Sequence, residues 1–228
     1  MSDNTYNSLV DQLAKYNMLE DLSRNKAEEK FINDYEFLNS NYISTDGEAI
    51  NAVKETFGIK SNEQLENLKI NKKLTSDALF MDFAHFINRK KLIIKDLMKG
   101  QGESVFLKFK DRLDRVLYSI LRVEDDNQAY DLYYSIESKE IEFGEAAQLH
   151  SVGPESKTQG IIGPVDLTTP HPEIAARLRT AKPRQLFPPF KLNEKHTILR
   201  LEYRFDSEYN ETSLNYLGKV VLTSKIKP

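Results

Sequence analysis

Four histidines, His85, His150, His171 and His196, are the imidazoles this chain could use for acid–base or metal chemistry. A histidine-based zinc site places two of them within a few residues on one element, and these four are scattered too widely for that. His85 sits beside Phe83 and Phe86 in a helical run and reads as structural. Cysteine is absent, which excludes disulfides, thiolate metal sites and Cys nucleophiles. There is no GxGxxG, Walker A loop, GxSxG or HExxH. Carboxylates are abundant but dispersed among mixed charges, so hydrolysis and phosphoryl transfer have little support. From Asp166 to Arg204 eight basic residues stand against four acids. This local excess either attracts acidic peptide segments or is simply a solvated face.

The elements that would hold these residues divide by texture. With 39% hydrophobic and 29% charged residues in 228, the chain is ordered and suits one large domain or two small ones. The net charge of −3 calls for neither nucleic acid nor an anionic membrane. No basic, apolar leader opens the sequence and no apolar run approaches the ~20 residues of a membrane span. The expectation is a soluble, cytoplasmic protein without membrane insertion. Up to about residue 100 only helices are expected. Leu9, Leu13, Tyr16, Leu19 and Leu22 recur at helical spacing, and so do Phe31, Tyr35 and Leu38. Thr45 and Asp46 offer an N-cap and Gly58 a stop; Ser61 with Gln64 has capping-box spacing. Thr75 or Ser76 opens the longest helix, with Leu79, Phe83, Phe86, Ile87, Ile94 and Leu97 on one face. These stripes are either packing core or, in part, an exposed groove for a client chain.

Beyond Gly100 and Gly102 the texture changes. A helix from Val105 to about Asp114 precedes a β-rich run, Val116–Val123. Helices follow at Asn127–Ile136 and Phe143–Leu149, then a turn-rich loop, SVGPESKTQGIIGP. Pro172–Leu178 is a short helix. Thr197–Phe205 is a strand whose Leu199, Leu201, Tyr203 and Phe205 alternate with charges. A last helix runs from about Ser207 to Leu217 and packs back on the first half. The fold class is α+β: an N-terminal all-helical arm, then a domain with a small antiparallel sheet and short helices. The boundaries expected are 1–104, 105–206 and 207–228.

Within the second domain, FGEAAQLHSVGPESKTQGIIGPVDL, HPEIAARLRTAKPRQLFPPF and HTILRLEY follow one another in order. Together with Tyr118-Ser119-Ile120-Leu121 upstream they resemble the parvulin peptidyl-prolyl isomerases, over roughly residues 115–205. The family's FAELAxxYS helix, GGDLG loop, PEF helix and GxHIIKL strand correspond to Phe143–Ser151, Gly153–Gly163, Pro172–Ile174 and His196–Leu201. The stretch Leu19–Leu97 resembles the helical arm of foldases of the SurA/PrsA kind, in the form found in soluble cyanobacterial isomerases.

The resemblance implies a rotamase and folding chaperone acting on X–Pro bonds of unfolded or proline-containing polypeptides, with no cofactor and no metal. Such an enzyme must seat a pyrrolidine in a dry apolar pocket and favour the twisted amide over the planar one. By resemblance the proline pocket uses Ile162, Pro170 and Ile174, although Ile162 and Ile174 serve equally well as plain core. The family's paired histidines map to Ser119 and His196, and His196 could equally be a structural residue at a strand end. Ser119 departs from the pattern, since a hydroxyl cannot reproduce an imidazole pair. No polar group stands near Val152 and Gly153, where the family places Cys or Asp, and the GGDLG loop is shortened without its acid. The alternatives are therefore a catalytically weak holdase or an export adaptor that binds unfolded polypeptide.

Overall fold

The computed structural model describes residues 11–35 and 44–226; Leu9 and Leu38 lie outside this range. The chain forms two compact units. One takes the described residues up to Glu103 and those from Leu214 onward; the other is Ser104–Ser213.

The first unit contains α1 (Leu19–Asn33), α2 (Asp46–Phe57), α3 (Asn62–Asn71), α4 (Asp77–Met98) and, from the far end of the chain, α9 (Glu211–Lys225). Its helix ends follow local chemistry. The Thr45 hydroxyl accepts from Glu48 N while the Glu48 carboxylate accepts from Thr45 N, a reciprocal capping box. Gly58 closes α2 in the left-handed conformation, and Ser61 and Ser76 cap α3 and α4. α4 serves two cores. Phe80 and Ala84 meet Ala49 and Val53 of α2 and Leu65 of α3; Ile93, Ile94 and Leu97 meet Ile32 of α1 and Leu222 of α9. Leu79, expected on the buried stripe, is 44% exposed. The stripe begins one residue later, at Phe80, and a one-residue step turns a helix by about 100°. The last helix starts later than expected and runs longer. Asn210 Oδ1 accepts from Ser213 N at 3.0 Å and Ser213 Oγ accepts from Asn210 N at 3.1 Å, which sets the start after the turn.

The second unit runs α5 (Gly102–Leu113), β1 (Arg115–Val123), α6 (Asp126–Glu137), α7 (Phe143–His150), a 3₁₀ turn at Pro154–Thr158, β2 (Ile161–Val165), α8 (Pro172–Thr180), β3 (Leu186–Leu192) and β4 (Lys195–Phe205). The sheet is antiparallel and four-stranded in the order β2-β1-β4-β3. Its two edge strands are the elements that sequence pattern does not reveal. β2 lies inside the stretch read as a loop, and β3 carries Pro188 and Pro189. Edge strands tolerate proline and bulges because one side of the backbone needs no ladder partner. Both edges are irregular: the β1–β2 register slips between Val116 and Tyr118, and the β3–β4 register slips between Phe187 and Phe190.

β4 departs from the simple alternation expected of it. Thr197, Ile198 and Leu199 are all buried, because both faces of the sheet are covered there. A shift in the β1–β4 register between Leu117 and Tyr118 then leaves Tyr203 and Phe205 exposed.

Candidate functional site

The two faces of the sheet bury different cores. On one, Leu121 and Val123 of β1 and Ile198 of β4 pack against Ala129, Leu132 and Ile136 of α6 and Phe143, Ala146 and Ala147 of α7. On the other, Tyr118 and Ile120 of β1 and Leu199 and Leu201 of β4 lie with Ile174 and Leu178 of α8. Ile162 of β2 and Phe187 and Phe190 of β3 are only partly buried against this second core. They form an apolar rim on the two edge strands.

Strand register orders the α8 face into rows. Tyr118 stands between Ile162 and Leu201, Ile120 beside Leu199 and Phe187, and Thr197 between Arg122 and Phe190. Arg177 of α8 stacks on Phe190, with its guanidinium carbon 3.7 Å from the ring centroid, a cation–π contact at the margin of the face.

Ile162 and Ile174 share one apolar cluster, Ile162 half-buried and Ile174 5% exposed. Pro170 is half-buried and outside the cluster; Leu167, 3% exposed, is the residue from that connection that joins it. Ser119 and His196 are not brought to this face. Ser119 Oγ donates to Glu202 Oε1 at 2.6 Å, and the same oxygen accepts from Arg200 Nε at 2.7 Å, while Arg184 binds the other Glu202 oxygen. His196 pairs with Val123 in the ladder, and its Nδ1 lies 2.8 Å from Asp126 Oδ1 at the start of α6. Ser119 is opposite Arg200, so four strand positions, about 13 Å at ~3.3 Å per residue, separate it from His196 along the sheet.

The residues on the α8 face are their immediate neighbours, Tyr118 and Thr197. Side chains alternate along a strand, so a one-residue offset transfers a residue to the opposite face. The signal was present in the sequence: if Leu199 and Leu201 face the core, Thr197 shares their parity and His196 does not.

One end of the face is polar. Arg122 Nε donates to Glu155 Oε1 at 2.9 Å, Arg122 Nη2 lies 2.5 Å from Glu155 Oε2, and Ser151 Oγ donates to Glu155 Oε1 at 2.5 Å. Glu155 is 3% exposed. Burial alone would push its carboxyl up. The Arg122 guanidinium and the Ser151 hydroxyl outweigh burial and hold it below the ordinary value. The pair raises the Arg122 pKa in return. A Cβ on Gly153 would collide with the Glu155 carboxylate and the Arg122 guanidinium, so any side chain there would have to displace the pair. The site near Gly153 therefore does hold a charged group, contrary to the sequence expectation; it comes from Glu155, two residues on, and from the neighbouring strand. Burial pushes the Tyr118 phenol up and outweighs the pull of the Arg122 charge, with the Glu155 charge adding a lesser push.

Thr197 is fully buried, and its Oγ1 finds no hydrogen-bond partner among the described residues. Buried hydroxyls are nearly always paired, and leaving one unpaired costs about 1–3 kcal/mol.

No family model matches the sequence, and no curated protein matches it. Among solved structures, the chain is similar to the peptidylprolyl isomerase PrsA of Bacillus anthracis, with 18% identity and a TM-score of 0.44 over 92% of this chain and 90% of that one. It is also similar to a SurA-like chaperone of Campylobacter jejuni, with 15% identity and a TM-score of 0.40 over 89% and 87% of the two chains. A PpiC-type peptidyl-prolyl cis-trans isomerase domain matches 44% of this chain over 99% of its own length, with 16% identity and a TM-score of 0.38.

Proposed function

We propose that the chain is a peptidyl-prolyl isomerase and folding chaperone, and that the α8 face of the sheet grips the proline of a polypeptide client. The observation that carries this reading is the apolar rim. Ile162, Phe187 and Phe190 stay partly exposed on the two edge strands above a floor of Ile120, Leu199 and Ile174. A pyrrolidine ring is a small apolar body, and burying it against such a floor sheds its water. The isomerisation itself needs neither nucleophile nor metal. It needs a site that binds the twisted amide better than the planar one, with polar groups placed in a water-poor setting.

An assay of cis–trans isomerisation on short proline peptides tests this. A rate above background is expected. Ile162→Ala, on the half-buried rim, should raise KM several-fold with little change in melting temperature. Ile174→Ala should weaken activity as well, but at a cost of about 2–4 kcal/mol in stability because the side chain is buried. His196→Ala should leave the rate within about twofold, since His196 lies on the other face. Absence of any rate at high protein concentration would overturn the reading.

A second reading, a holdase with little catalysis, is favoured by one observation. The two positions that match the family's paired histidines, Ser119 and His196, are engaged elsewhere, Ser119 with Glu202 and His196 with Asp126. The helical unit also carries a groove of about 950 Å³ lined by Phe31, Tyr35, Asp96, Leu97 and Ile226 among others. Suppression of client aggregation that survives Ile162→Ala and is lost with changes at Phe31 or Tyr35 would support this reading over the first.

A further inference from the structure

We infer that the Thr197 hydroxyl is the group that distinguishes the twisted from the planar prolyl amide, donating a hydrogen bond to the prolyl nitrogen. This deepens the isomerase reading and rests on it. Three observations place Thr197 there. It lies on the α8 face, in the parity of Leu199 and Leu201. Its row is Arg122–Thr197–Phe190, so it has the charged end of the face on one side and the apolar rim on the other. Its Oγ1, in a fully buried residue, has no partner among the described residues.

Amide chemistry assigns the direction of the bond. In the planar amide the nitrogen lone pair is delocalised into the carbonyl, so the nitrogen accepts no hydrogen bond. As the C–N bond twists, the lone pair returns to nitrogen and becomes an acceptor. A donor aimed at nitrogen therefore makes its bond only in the transition state and raises kcat without tightening substrate binding. A donor to the carbonyl oxygen would act the other way, because that oxygen loses negative charge on twisting. No covalent bond forms or breaks, and the hydroxyl proton stays on Thr197. For substrate to reach Thr197, its cross-strand partner Phe190, on which Arg177 stacks, would have to move. It belongs to the edge strand, where a neighbour can move without opening a ladder on both sides.

The test compares the full chain with Thr197→Val and Thr197→Ser, in an isomerisation assay on a proline peptide together with a melting curve. Thr197→Val keeps the shape and removes the orphaned hydroxyl, so its melting temperature should equal or exceed that of the parent. Its kcat should fall about tenfold or more with KM within twofold. Thr197→Ser should keep most of the rate. Equal kcat in the parent and Thr197→Val overturns the assignment and leaves the isomerase reading standing. So does a loss confined to KM. A parent chain without any rate overturns both.

Discussion

Glu155 and Arg122 show how a single pair can position a loop and still be invisible in the chain's linear pattern. The two residues are 33 positions apart. Together with Ser151 they tie the loop after α7 to the inner strand β1. The folded pKa of Glu155 is depressed. Its contribution to stability is therefore complete above the ordinary carboxylate range and is lost as pH falls through that range to the folded value. Glu155→Gln should lower the unfolding free energy of the second unit by about 3 kcal/mol at neutral pH, because Arg122 is left without its partner. The same variant should flatten the acid limb of a stability-against-pH curve measured by denaturant titration. Asp114 acts in the same direction. Burial would raise its carboxyl, but Lys110 and Ser207 outweigh burial and lower it, so part of the acid limb should persist in Glu155→Gln.

At the scale of elements, β2 is the one on which the proposed site most depends, since it carries Ile162. It exists because Gly160 allows the chain to turn tightly against β1. Gly160 has φ +80°, its carbonyl accepts from Ile120 N at 2.9 Å, and a Cβ there would press on the Ile120 carbonyl. Gly160→Ala should destabilise the second unit by about 2 kcal/mol. It should also speed hydrogen exchange at the ladder amides of β2 more than at those of β4, which keeps neighbours on both sides. Unchanged exchange at Ile162 would show that β2 does not need the glycine.

For the molecule as a whole, the notable fact is that the chain's last helix belongs to the unit with which the chain begins. Leu217 and Leu222 are buried, and Gly218 sits against Ile94 and Met98, where a Cβ would collide with Ile94. Truncation after Ser213 removes these side chains from the helical unit. Large-to-small losses of this kind cost about 2–5 kcal/mol per leucine. The truncated chain should melt in two separated steps. The helical unit should unfold at much lower temperature, while the sheet unit, Ser104–Ser213, keeps its own transition. A single unchanged transition would show that α9 contributes little.

Local pattern was enough to determine the helices from Asp46 to Met98 in the arm, with caps at Thr45, Ser61 and Ser76, the strands β1 and β4, and the α+β class. These features depend on short-range hydrogen bonds and on periodicities contained in a few neighbouring residues. What tertiary structure alone decided was which side chains share the α8 face. Which face of β1 and β4 meets α8 depends on pairing between residues some eighty positions apart, on bulges, and on which helices cover each face. Strand parity puts Tyr118 and Thr197 on the α8 face and Ser119 and His196 on the other. The two edge strands escaped notice for a related reason. Their stability comes from a partner strand, and their own proline- and glycine-rich sequences argue for loops until that partner is in place.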